Sequence, residues 1–141
     1  MTTTVPHKNP SSFQQLLTLL TLALLLTGCA ASVTYMPSNL TSDTEATRPR
    51  HITVDRQTNI RLDTGYTRTL RAGSEWQLAG RIAQGDVYQP QNDVFTLEGK
   101  HIHEAWLVIA DSRLAGFYLP VEHGFSPIVH SVDLSFSSTR K

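Results

Sequence analysis

His101-Ile102-His103-Glu104 is the densest set of chemistry-bearing side chains in this 141-residue chain. On an extended backbone, residues two apart point to the same side. His101 and His103 would then offer two imidazoles to one metal ion. Zinc and copper accept such nitrogen donors, and a complete site needs further ligands. Glu122 or His123, which follow the Phe117-Tyr118 pair, are the expected additions. As solvated side chains on an edge strand, the same residues would do no chemistry. Glu104, Asp111 and Glu122 could in principle form a general acid–base pair, but their spacing carries no diagnostic geometry. No G-x-S-x-G nucleophile elbow is present, and the chain has one thiol, Cys29. The sequence predicts a protein without catalytic residues. A small metal-binding protein or hydrolase using His101 and His103 is an alternative.

Cys29 closes the run Leu26-Thr27-Gly28-Cys29. Ahead of it, residues 1–12 are a polar lead carrying Lys8, and residues 16–26 are apolar apart from Thr18 and Thr21. A charged lead, an apolar core and small residues before a cut are the parts of an export signal. The apolar run is well short of the roughly 20 residues needed to span a bilayer. The order large-aliphatic, small, Gly, Cys resembles the lipobox of bacterial lipoproteins. That resemblance implies cleavage before Cys29, a covalent diacylglycerol on its sulfur and an N-acyl chain on the freed amino group. No other cofactor is expected. One acyl chain holds a protein only marginally, whereas two or more anchor it stably. Lipoproteins retained at the inner membrane carry Asp after the cysteine. Ala30 in that place implies the outer membrane, and the periplasmic face is the expected side.

Lys+Arg and Asp+Glu number 12 each, so the formal net charge is zero. Without a basic patch or run, nucleic acid is not an expected partner. The chain divides into a signal peptide (1–28), a lipidated N-terminus with a flexible tether (29–50) and one domain (51–141). The tether is expected from Pro37, Pro49 and many Ser, Thr and Asn residues, with few large apolar ones. Some 20 flexible residues have a reach of roughly 25 Å.

The domain reads as strands. Apolar and polar residues alternate over 51–55 and 59–63, and Gly65 turns the chain. Residues 67–71 lead into the Ala72-Gly73-Ser74 turn. Trp76, Leu78, Ile82, Val87 and Tyr88 follow, punctuated by Gly80 and Gly85. Residues 94–97 form a short strand before Gly99-Lys100, a pair suited to a two-residue hairpin. The unbroken apolar run 105–110 predicts a strand covered on both faces. Asp111-Ser112-Arg113 turns it, residues 114–119 return, and residues 132–136 make a last strand. The expected class is all-β, a small barrel or a small sandwich.

Two segments are similar to bacterial SH3-like domains of the cell-wall type. One is Leu70-Arg71-Ala72-Gly73-Ser74 followed by Gly80-Arg81-Ile82-Ala83-Gln84-Gly85-Asp86-Val87. The other is Trp106-Leu107-Val108, the turn at 111–113, and Gly116-Phe117-Tyr118-Leu119. The resemblance implies an SH3-like barrel. Trp76 and Trp106 are expected in the core, because a small β-domain needs large side chains at its centre. Tyr88, Tyr118 and Phe125 are the candidate binding surface, with residues 120–127 as a loop presented to a partner. Together these features predict a lipid-anchored binding or assembly module that contacts an envelope protein or peptidoglycan. An accessory lipoprotein of a secretion, pilus or conjugation system is the alternative from the same class.

Overall fold

Ile52 and Val54 turn inward from β2 (His51–Val54), while His51 is exposed, as the alternation predicts. The computed structural model describes residues 31–42 and 48–139, and within them the chain is all-β, without helix. The remaining strands are β1 (Met36–Pro37), β3 (Thr58–Arg61), β4 (Thr67–Leu70), β5 (Glu75–Ile82), β6 (Gly85–Pro90) and β7 (Thr96–Glu98). They continue with β8 (Ile102–Glu104), β9 (Trp106–Ala110), β10 (Arg113–Leu119), β11 (Gly124–Asp133) and β12 (Phe136–Thr139). Eight strands form one antiparallel sheet in the order β1-β11-β10-β9-β6-β5-β2-β12. The hairpins β3-β4 and β7-β8 are separate two-stranded sheets. The arrangement is open and sandwich-like.

The apolar run 105–110 takes the middle of the large sheet. β9 lies between β10 and β6. Leu107 and Ile109 enter the main core with Ile52, Trp76, Phe95, Phe117 and Leu119. Val108 points the other way, into a smaller cluster with Ile82, Val87, Tyr118 and Phe125. Two buried faces explain why this strand has no polar alternation. Its turn is tight: Ala110 pairs with Arg113, and Asp111 and Ser112 both have positive φ. That backbone is the type I′ form favoured in two-residue hairpins.

Three expectations change. The first is the tether. Residues 31–42 lie against the domain as a strap, and 43–47 and 140–141 lie outside the described residues, as do 1–30. Val33 is buried in the main core. The Lys100 N–H donates to the Ala31 carbonyl at 2.9 Å, and β1 pairs with the start of β11 through Met36↔Phe125 and Pro37↔Gly124. Further on, Leu40 packs against the smaller cluster and Thr41 forms a two-way backbone bridge with Arg81 of β5. The sequence looked like linker because the strap has only a few apolar anchors. Those anchors cover sheet surface that would otherwise meet water, and burying one Val or Leu side chain contributes about 1.5–3 kcal/mol.

The second change is the segment 120–127. Only a turn at 120–123 stands out, and β11 begins at Gly124. Pro127 sits within β11 opposite Gly116, beside an irregularity in the β10–β11 register. A bulge tolerates the missing N–H of proline inside a strand. A Cβ on Gly116 would run into the Phe125 ring at 2.7 Å, so the close approach there requires glycine. The third change is the last strand. Residues 132–136 are split between β11 and β12, with a break at 134–135.

Candidate binding groove

The Ala72-Gly73-Ser74 turn and the loop after β6 face each other across an open cleft of about 590 Å³. The β4 strand and the start of β5 form one wall, and Pro90 to Phe95 form the other. Gly73 supplies the positive φ that the turn needs, and Asn92 takes positive φ in the opposite loop, where Asn is among the residues that tolerate it. Gln91 fixes that loop to β5: its N–H donates to the Glu75 carbonyl at 2.8 Å and its Nε2 to Gln77 Oε1 at 3.0 Å.

Phe95 ties this cleft to the core. Its ring meets Trp76 edge-on at 5.7 Å and stacks on Phe117 at 5.6 Å. The Arg68 guanidinium lies over the same ring, 5.1 Å from its centroid, a cation–π contact. Arg68 also donates to Glu98 at 3.3 Å and to Thr96 Oγ1 at 3.4 Å. Its Nε–H is buried without a hydrogen-bond partner. Trp76 Nε1 donates to Ser74 Oγ at 3.1 Å, which orients the turn over the cleft. Arg68 and Arg71, the amides of Gln91 and Asn92, and the carboxylates of Glu75 and Asp93 rim the cleft over the largely buried Phe95, and such a rim can hold a polar chain such as a peptide or a glycan. Sequence reasoning missed Arg68, Asn92 and Phe95 as a group. The signal available was the Ala72-Gly73-Ser74 turn, but nothing in the sequence placed the 91–95 loop opposite it.

The residues singled out from sequence fall elsewhere. Tyr88, Tyr118 and Phe125 are only 3%, 3% and 5% exposed, so they are core and not a binding surface. Large aromatic area in a small β-domain is worth more in the core than in water. The Tyr88 hydroxyl donates to the Pro49 carbonyl at 3.1 Å. Burial, reinforced by the Asp86 carboxylate and opposed by Arg48, pushes the Tyr88 phenol up to about 12. Burial also raises Tyr118. Asp86 itself is held by Arg48 at 3.2 Å.

His101 and His103 do not share a strand face. The β7–β8 register pairs Glu98 with Ile102, so residues 99–101 form a three-residue loop and His101 sits in it. The expected two-residue hairpin would have kept His101 on the strand. The imidazoles are 6.5 Å apart, edge to face. His103 Nδ1 instead meets Glu122 Oε1 at 2.5 Å, and Tyr35 of the strap lies 6.5 Å from the His103 ring. Among the described residues, no group of three or more His, Cys, Asp or Glu is placed to share a metal ion. Trp106 is half-buried rather than core, with Nε1 donating to Glu104 Oε1 at 2.9 Å and its ring 6.0 Å from Tyr118. Leu26, Thr27, Gly28 and Cys29 lie outside the described residues. No helix among the described residues is long and apolar enough to cross a membrane. Compared with protein-family models, with curated proteins and with solved structures, the chain matches none.

Proposed function

We propose that this chain is a lipid-anchored protein of the bacterial envelope, held at the periplasmic face of the outer membrane, and that it works as a non-catalytic binding or assembly module. The observation that carries the proposal is the run Leu26-Thr27-Gly28-Cys29 at the end of an apolar core too short to span a bilayer. The cleft floored by Phe95 and flanked by Arg68 and Asn92 is where the module takes hold of its target. Peptidoglycan and an extended segment of an envelope protein both fit its chemistry: a polar chain with acidic groups for the arginines and hydrogen-bonding groups for the amide rim.

The test uses the full, processed protein in detergent. It is incubated with isolated sacculi, and separately with solubilised envelope, beside an Asn92→Ala and Arg68→Ala variant. Retention that the double variant loses supports the reading. No retention on either material by the parent protein ends it.

A further inference from the structure

The docked strap changes what a lipid on Cys29 would do. Among the described residues, Ala31 is the first, and it is fixed to the domain: its carbonyl accepts from the Lys100 N–H at 2.9 Å. A Cβ on Gly99 would lie 2.9 Å from that carbonyl oxygen and 3.2 Å from a Val33 methyl, so the strap crosses the hairpin backbone in close contact. Cys29 is two residues earlier in the chain. Two extended residues reach at most about 7 Å. An anchor there leaves a leash too short for the domain to turn freely.

This end of the domain carries several exposed apolar side chains. Ile102, the first residue after the 99–101 loop, is 73% exposed, and Val121 in the neighbouring turn is 74% exposed. That turn is next to the hairpin because Glu122 meets His103. Tyr35 and Met36 on the strap are also exposed, at 44% and 47%. Tyr66 belongs to the same end, since Thr64, two residues before it, donates its hydroxyl to the Glu98 carbonyl. Lys100 and His101 at the hairpin tip are exposed. Among the described residues, the exposed large apolar side chains elsewhere are only Val94 and Val129. Aromatic rings and lysines favour the boundary between lipid headgroups and acyl chains.

We infer that the 99–102 hairpin tip, with Ile102, Val121 and Tyr35, rests on the lipid leaflet that holds the anchor, fixing the orientation of the domain. The inference rests on the lipoprotein reading above, and the occupant is the leaflet itself.

The mature protein has no thiol besides Cys29, so a single new cysteine can carry a probe. Ile102→Cys and Ser131→Cys are each spin-labelled in the full, processed protein and reconstituted in vesicles of phosphatidylethanolamine and phosphatidylglycerol. Ser131 is exposed and lies seven residues beyond Gly124 on β11, about 23 Å of strand from this end. Collision with a water-soluble nickel complex is compared with collision with oxygen, and intact mass reports the lipid on Cys29. The expected result is lipid-modified protein whose 102 label is shielded from nickel several-fold more than the 131 label. Lipid-modified protein with equal nickel access at both positions overturns the leaflet contact alone. Mature protein without lipid overturns this inference together with the reading beneath it.

Discussion

At the scale of single residues, the two tryptophans separate. Trp76 is 2% exposed, edge-on to Phe95 and in the main core. Trp76→Ala should cost about 3–5 kcal/mol, the range for a buried large aromatic. Trp106 is half-buried and keeps its N–H on Glu104, so Trp106→Ala should cost no more than about half as much. Urea unfolding of the two variants checks the ranking, and equal midpoints would contradict it. The phenol of Tyr88 gives a pH dependence. Its pKa is raised to about 12 by burial, then by Asp86, so the folded state keeps a proton that the unfolded state loses above about pH 10. The stabilisation is therefore complete below pH 10 and is lost as the pH rises toward 12. Tyr118, also raised, has the same sign. Tyr88→Phe should flatten this alkaline fall, by at most about 3 kcal/mol between the two limits. Unfolding free energy followed from pH 9 to 12 reads it directly.

At the scale of elements, most strands were legible because their alternation is local. Ile52 and Val54 mark β2, and the run from Leu107 to Ile109 marks a strand covered on both faces. The strap was not legible, because what makes it structural is Gly80 and Gly124, far along the chain. A Cβ on Gly80 would collide with the Thr41 carbonyl oxygen, and one on Gly124 with the Tyr35 ring. Gly80 also has φ of 157°. Gly80→Ala should therefore lift the strap from β5. Amide exchange at Thr41 and Arg81, whose N–H groups bond each other's carbonyls, should quicken at least tenfold while β9 stays protected. Unchanged exchange at both amides would mean the strap holds without that close approach. The cleft was illegible for a similar reason. Arg68 and Asn92 are 24 positions apart, and the β5–β6 pairing, the loop anchored by Gln91 and the contacts of Arg68 with Phe95 and Thr96 bring their elements together.

At the scale of the whole molecule, class and address stand on different ground. The all-β class follows from patterning throughout the domain, and the sheet bears it out. The address rests on the Leu26-Thr27-Gly28-Cys29 run, the apolar stretch before it and Ala30 after it, so its test belongs to the whole protein. Cys29→Ser should abolish incorporation of labelled fatty acid and leave the unprocessed precursor, since lipoprotein maturation needs the modified thiol. Mature-sized product from that variant would remove the anchor. His103 and Glu122 show the limit of spacing as a guide. The H-x-H pattern suggested a pair of imidazoles, but the hairpin took one residue more in its loop and gave His103 a carboxylate instead.

On the proposed lipoprotein route, the bond between Ala31 and Lys100 would also set an order of events during biogenesis. A peptidase that cuts before Cys29 must grip an extended peptide on both sides of the scissile link, and a transferase must reach the sulfur. Once the segment from Ala31 onward has zipped onto its hairpin, the substrate stretch is cut down to two residues and the domain's bulk crowds the catalytic cleft. Maturation on the proposed route should run ahead of final folding, and a variant that folds faster should mature more slowly.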